Sequence, residues 1–185
     1  MVIIPSMTFN HKSLSYTIRS AVPDDARQMS KIRNRIDMET NYLDREPGEA
    51  FLDEIGFRKL IEQDTIKEKN LCLVAEVENR LVGFSRCEGT ELKRLHHNIE
   101  FGVGVLRDYW GFGIGKHLLL QSIAWADNNN ILKINLRVLE TNIKAIHLYR
   151  RYGFNIEGLL KFDKRLSDGK FYNTIIMGRW KDDVS

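Results

Sequence analysis

Cysteine, proline and long apolar runs are all scarce in this 185-residue chain. The two cysteines, Cys72 and Cys87, lie in apolar strand-like segments with no spaced framework. That argues against a disulfide scaffold and for reduced thiols, as expected of a cytoplasmic protein. No stretch approaches the roughly 18 consecutive apolar residues of a membrane span, so no membrane partner is expected. Charge of one sign is also lacking: 28 basic and 25 acidic residues leave +3, and no run of five or six like charges occurs. Nucleic acid is therefore not an expected partner. His96 and His97 are adjacent and point to opposite faces of a strand, while His117 and His147 are isolated on helices, so no metal site is expected.

What is present is an ordinary globular composition, 43% hydrophobic and 29% charged, in a length that suits one core. The start, MVIIPSMTFNHKS, has a short apolar run broken by Pro5 and no basic flank, unlike a secretory signal. Residues 1–14 are expected to be a poorly ordered extension ahead of a single domain over 15–185. YTIRSA (16–21) reads as a strand, and a helix starts near Asp24 or Asp25 with Met29, Ile32 and Ile36 on one stripe. After a polar loop around Pro47-Gly48, a second helix is expected over about 50–63. LCLVAEVE (71–78) and LVGFSRCE (81–88) form an antiparallel hairpin turning at Asn79-Arg80, followed by a strand over 97–106. A helix runs to about Asn128. Strand 131–140 puts Ile134, Leu136 and Val138 on one face, a helix spans Asn142 to Tyr152 with Gly153 past its end, and a last hairpin uses 154–162 and 170–180. The expected class is α+β, a mixed and mostly antiparallel twisted sheet of about six to seven strands with about four helices.

The segment VGVLRDYWGFGIGKHLL (103–119) joins a strand to a helix through Gly111, Gly113 and Gly115. Alternating glycines let backbone N–H groups approach a ligand, and the helix start favours an anion; pyrophosphate suits such a turn. A Walker loop fails here, because Trp110 stands where its first glycine belongs and His117 follows Lys116. A dinucleotide fingerprint needs glycine where Lys116 stands, and no kinase motif set follows.

The turn does resemble the acyl-CoA motif of the GNAT superfamily of N-acyltransferases, [QR]-x-x-G-x-[GA]. Here it runs Trp110-Gly111-Phe112-Gly113-Ile114-Gly115, with Trp110 in place of the usual Gln or Arg. A second motif, N-x-x-A-x-x-L-Y-x-x-x-G-F, is matched by Asn142, Ala145, Leu148, Tyr149, Gly153 and Phe154. The likeness covers about residues 15–180, and ETNYL…EPGE (39–49) resembles a branch whose substrates are mostly unassigned.

The resemblance implies a GNAT-like fold whose central parallel strands splay apart. Pantetheine of acetyl-CoA would lie in the gap against Val103, Gly104 and Val105, and its pyrophosphate on Trp110, Gly111, Phe112, Gly113, Ile114, Gly115 and Lys116. Tyr149 matches the family tyrosine that faces the thioester sulfur, and Asn142 is either an N-cap alone or also a cofactor contact. A helical-face tyrosine could equally be core, and Tyr152 shares that face. Relatives that acetylate protein N-termini use a glutamate where this chain has Arg137, so Glu100 is the remaining candidate base, with ordered water as the alternative.

The implied activity is acetyl-CoA-dependent N-acetylation of a primary amine on a small molecule, by direct attack on the thioester. Acetylation of a protein N-terminus or lysine, and a non-catalytic acyl-CoA-binding module, are the alternatives. Asp37, Glu39, Asp44, Glu46 and Glu49 against Arg45 could form a negative rim for a cationic amine, or only a solvated loop. The resemblance also leaves a homodimer open.

Overall fold

A computed structural model describes residues 3–181. Its elements are β1 (Met7–His11), β2 (Leu14–Ser20), α1 (Ala26–Glu39), α2 (Glu54–Ile66), β3 (Leu71–Val77), β4 (Arg80–Gly89), β5 (Asn98–Val105), α3 (Ile114–Asn128), β6 (Lys133–Leu139), α4 (Ile143–Arg151), β7 (Asn155–Arg165) and β8 (Phe171–Trp180). The strands make one sheet in the order β1-β2-β3-β4-β5-β6-β8-β7. Every neighbouring pair is antiparallel except β5 and β6. This is the mixed, mostly antiparallel α+β sheet expected, with eight strands rather than six or seven.

The added strand is β1. Residues 1–14 were expected to be poorly ordered, yet Met7–His11 pair with β2, Phe9 opposite Tyr16. Met1 and Val2 lie outside the described residues. The pairing takes up the free edge of β2, and Phe9 gains a stacked partner in His117, ring centroids 4.0 Å apart. The β3–β4 turn sits one residue earlier than expected, at Glu78 and Asn79, both left-handed (φ 47° and 63°). That is the primed geometry that matches strand twist. α2 begins at Glu54 because Asp53 caps it, its side chain accepting from the Gly56 N–H at 2.8 Å.

The core lies on both faces of the sheet. Ile134, Leu136 and Val138 of β6 are buried with Ile99 and Phe101 of β5; each such side chain contributes about 1.5–3 kcal/mol by leaving water. A Cβ on Gly104 would meet Ile36 of α1 at 3.3 Å, whereas one on Gly115 would meet Val105 at 3.9 Å. Even-numbered residues of β5 therefore face α1, and odd-numbered ones face α3.

Candidate active site

The site begins where β5 and β6 part. Their parallel pairing covers only Asn98–Lys133, Ile99–Ile134 and Glu100–Asn135. Beyond Glu100, β5 continues against β4 to Val105, so its other edge faces a fork. The Leu106 N–H donates to Val82 O at 2.9 Å. Alternation then turns the backbone groups of Val103 and Val105 toward the fork and those of Gly104 toward β4. Gly104, expected at the open edge, spends its backbone on the sheet and instead lets α1 approach closely.

Trp110 closes one end of this edge. Its indole Nε1–H donates to Val105 O at 2.7 Å, so that carbonyl already has a donor, whereas the Val103 pair does not draw on Trp110. The Arg107 guanidinium lies over the indole at 5.8 Å, and Tyr42 stacks on it at 6.5 Å. Arg107 N–H in turn donates to Glu39 at 2.7 Å, which ties the end of α1 to the turn after β5.

Gly111 and Gly113 hold left-handed φ of 81° and 83°, where a side chain would be strained, and nothing would touch a Cβ on Gly111. Gly113 is the N-cap of α3 and accepts from the His117 N–H at 2.9 Å. The side chain of Ile114 is buried, so that residue offers the fork only its backbone, while Lys116 is half-buried beside it. These features, a glycine cradle at a helix start beside an unpaired strand edge, fit the pyrophosphate and pantetheine parts of an acyl-CoA.

A support under the glycine turn was not legible in the sequence. The buried Tyr16 hydroxyl donates to the Phe112 carbonyl at 3.1 Å and lies 2.6 Å from His117 Nδ1. One hydroxyl carries one proton, so His117 Nδ1–H must donate to Tyr16. Burial pushes the Tyr16 phenol up to about 12. His117 is held below the usual histidine value, first by desolvation and then by Lys116 and His11. Expected to be isolated, His117 is instead clamped between Phe9 and Tyr16; only the pairing of β1 with β2 makes this visible.

Past the end of β6, Asn142 caps α4, its side chain accepting from the Ala145 N–H at 3.4 Å. Tyr149 is 8% exposed and packs against Phe154 at 5.7 Å. The ring is buried, but its hydroxyl is not among the sealed polar atoms without a partner and so keeps contact with solvent; burial of the side chain pushes the phenol up to about 12. Tyr152 is only partly buried. Glu100 and Arg137 share the face turned toward α1, Arg137 Nε being 3.8 Å from Glu100 Oε1, with both side chains more than half exposed.

The acidic segment that could have formed a rim is largely paired. Asp37 accepts from Arg45 at 3.1 Å, Glu39 from Arg35 at 2.7 Å, and Asp44 contacts Lys164 of β7. Glu49 turns back to accept from the Glu46 N–H.

The model of the acetyltransferase (GNAT) family matches residues 36–154. The chain is 26% identical to a spermidine N(1)-acetyltransferase of Escherichia coli (strain K12), over 88% of this chain and 84% of that protein. It is 29% identical to the L-amino acid N-acetyltransferase AaaT of the same strain, over 70% and 77%. A crystal structure of a GNAT-family acetyltransferase from Streptococcus pneumoniae superposes with a TM-score of 0.87 at 26% identity, covering 90% of this chain and 99% of that one.

Proposed function

Because this chain belongs to the GNAT acetyltransferase family and is an N-acetyltransferase, we propose that it transfers acetyl from acetyl-CoA to a primary amine of a small molecule. The single observation that carries the reading is the fork: an unpaired β5 edge at Val103 and Val105 leading directly into the glycine cradle of α3. Relatives named for spermidine and for L-amino acids support a small amine as acceptor.

In this reading acetyl-CoA supplies the acetyl group as a thioester. Val103 lines its pantetheine with backbone groups, and Val105 adds its N–H. The backbone around Gly111, Gly113, Ile114, Gly115 and Lys116 holds the pyrophosphate, with Trp110 and Phe112 flanking it. Asn142, fixed as a cap, borders the opposite side. The backbone N–H of Val103 or Val105 steadies negative charge on the carbonyl oxygen during attack. A C–N bond forms and the C–S bond breaks; the ammonium sheds one proton before attack, its nitrogen sheds a second to water as the amide forms, and the sulfur leaves as thiolate.

The amine arrives mostly protonated, since alkylamines resemble lysine at about 10.4. Glu100, exposed on the acceptor face, takes that proton directly or through water. Tyr149 meets the sulfur. A phenol near 12 is a weaker acid than a thiol at about 8.5, so complete transfer to the thiolate is uphill. Its role is therefore to donate a hydrogen bond that steadies the departing sulfur.

Thermal unfolding with acetyl-CoA, CoA and NADH, followed by thiol release in an amine panel, tests the reading. Selective stabilisation by micromolar acetyl-CoA and amine-dependent thiol release are expected. No shift at millimolar acetyl-CoA overturns it.

A further inference from the structure

The face of β5 turned toward α1 changes character over three alternate residues. Gly104 lies under Ile36, which a Cβ there would meet at 3.3 Å. Gly102 is exposed, and a Cβ there would meet nothing within 4 Å. Glu100, on the last rung shared with β6, is exposed as well. Arg137, two residues beyond that rung on β6, lies on the same face. The result is an open floor at the mouth of the fork, walled by α1 on one side and bordered by opposite charges on the other. The connection between α1 and α2 crosses this face, since its Asp44 reaches Lys164 on β7.

Two features of charge bear on what fits there. Asp37, Glu39 and Asp44, which could have drawn a polycation, are each matched by Arg45, Arg35 and Lys164. The Glu100–Arg137 pair, by contrast, is exposed and makes one contact at 3.8 Å, beyond hydrogen-bond length. Exposed pairs of this kind contribute little to the fold, so a ligand can part them at small cost.

Resting on the acetyl-transfer reading above, we propose that the acceptor carries a carboxylate beside its amine, as an α-amino acid or close analogue does. Arg137 binds the carboxylate, with two N–H groups able to meet two oxygens. Glu100 receives the ammonium before it loses its proton, and the bare Cα of Gly102 leaves room for the acceptor between them. A polyamine offers no carboxylate and leaves Arg137 facing like charge. A protein N-terminus has no free carboxylate next to its amine.

The experiment compares methionine, its decarboxylated amine 3-(methylthio)propylamine, its methyl ester and spermidine in thiol release with acetyl-CoA. The other natural amino acids are run alongside, and calorimetric binding of each acceptor to the CoA-saturated protein is measured in parallel. At least tenfold higher kcat/KM for the preferred amino acid than for its decarboxylated amine and for spermidine is expected. Arg137→Gln should raise the KM of the amino acid at least tenfold, erase that preference and leave the KM of acetyl-CoA unchanged. Gly102→Ala should raise the acceptor KM with no fall in Tm, because its added methyl meets no protein atom. The proposal is overturned if the decarboxylated amine or spermidine is preferred, if no amino acid binds the CoA complex, or if Arg137→Gln keeps the preference. Failure to bind acetyl-CoA at all would instead remove the acetyl-transfer reading, which the thermal measurement detects separately.

Discussion

Tyr149 and Tyr152 stand three residues apart on one helix, and their surroundings divide them. Tyr149 has its ring buried against Phe154 and its hydroxyl open to solvent, whereas Tyr152 closes the end of α4 with the whole side chain only partly buried. A hydroxyl that emerges from an otherwise buried ring is held in place and free to donate to a ligand. Tyr149→Phe should therefore lower kcat by about 10- to 100-fold, below the usual range for a proton-transferring acid because the phenol only donates a hydrogen bond. The dissociation constant of CoA should stay within about twofold, and Tm should not fall. A phenol near 12 stays protonated throughout neutral pH, so Tyr149 gives kcat no descending limb below about pH 10. Loss of CoA binding equal to the loss of kcat would show that the hydroxyl serves only ground-state affinity. The motif that singles out Tyr149 is local, running from Asn142 to Phe154 within one helix and its caps. It could not give the 3.8 Å approach of Glu100 to Arg137, which depends on strand register between segments 37 residues apart.

The strands and helices behave as supports for a short glycine turn. β1 adds nothing to the fork directly, yet Phe9 stacks on His117, His117 donates to Tyr16, and Tyr16 donates to the Phe112 carbonyl. The turn's N–H groups point outward only if its carbonyls are held inward. Tyr16→Phe removes the one donor to Phe112 O supplied by this chain of contacts. The KM for acetyl-CoA should rise about three- to tenfold, the value of one hydrogen bond, with kcat within twofold. His117→Asn, which keeps an N–H near the Nδ1 position, should retain more affinity than His117→Gln, whose amide lies further out. Unchanged KM in Tyr16→Phe would reduce the contact to fold stability alone. None of this was legible beforehand, because residues 1–14 carry too few apolar side chains to announce a strand. Their order comes from the vacant edge of β2. The glycine turn and the β3–β4 hairpin were legible because glycine spacing and alternation are properties of neighbours in sequence. The orientation of Gly104 was not, because it is fixed by the register in which β5 and Leu106 just past its end bond β4.

At the scale of the whole molecule the buried carboxylates Asp25, Asp37 and Asp64 are paired with arginines, while the buried thiols and phenols are acids kept neutral. Cys72 and Cys87 lie on adjacent strands, β3 and β4, free and sealed in the core. Burial raises both thiols from 9.0 to about 12, and it raises the Tyr16 and Tyr149 phenols from 10.0 to about 12. For an acid whose pKa is higher in the folded chain, the unfolded chain loses its proton first. Between the two values the folded state holds more protons, and stability falls as pH rises. The stabilisation is complete below about pH 9 and is lost as pH climbs through the window to about 12. Each thiol accounts for a loss on the order of 1 kcal/mol by about pH 10, with the phenols contributing above that. Denaturant unfolding should give constant stability from pH 7 to 8.5 and a decline beginning near 9. In the Cys72→Ala/Cys87→Ala protein the absolute stability is lower, since two core side chains are truncated. The informative quantity is the slope: its onset should move from near 9 to near 10, where only the phenols remain. An onset unchanged by removing both thiols would place the alkaline loss elsewhere, on ion pairs such as Lys133–Glu157 and Lys164–Asp44. Added salt separates the two cases, because it screens the ion pairs and leaves sealed thiols unaffected.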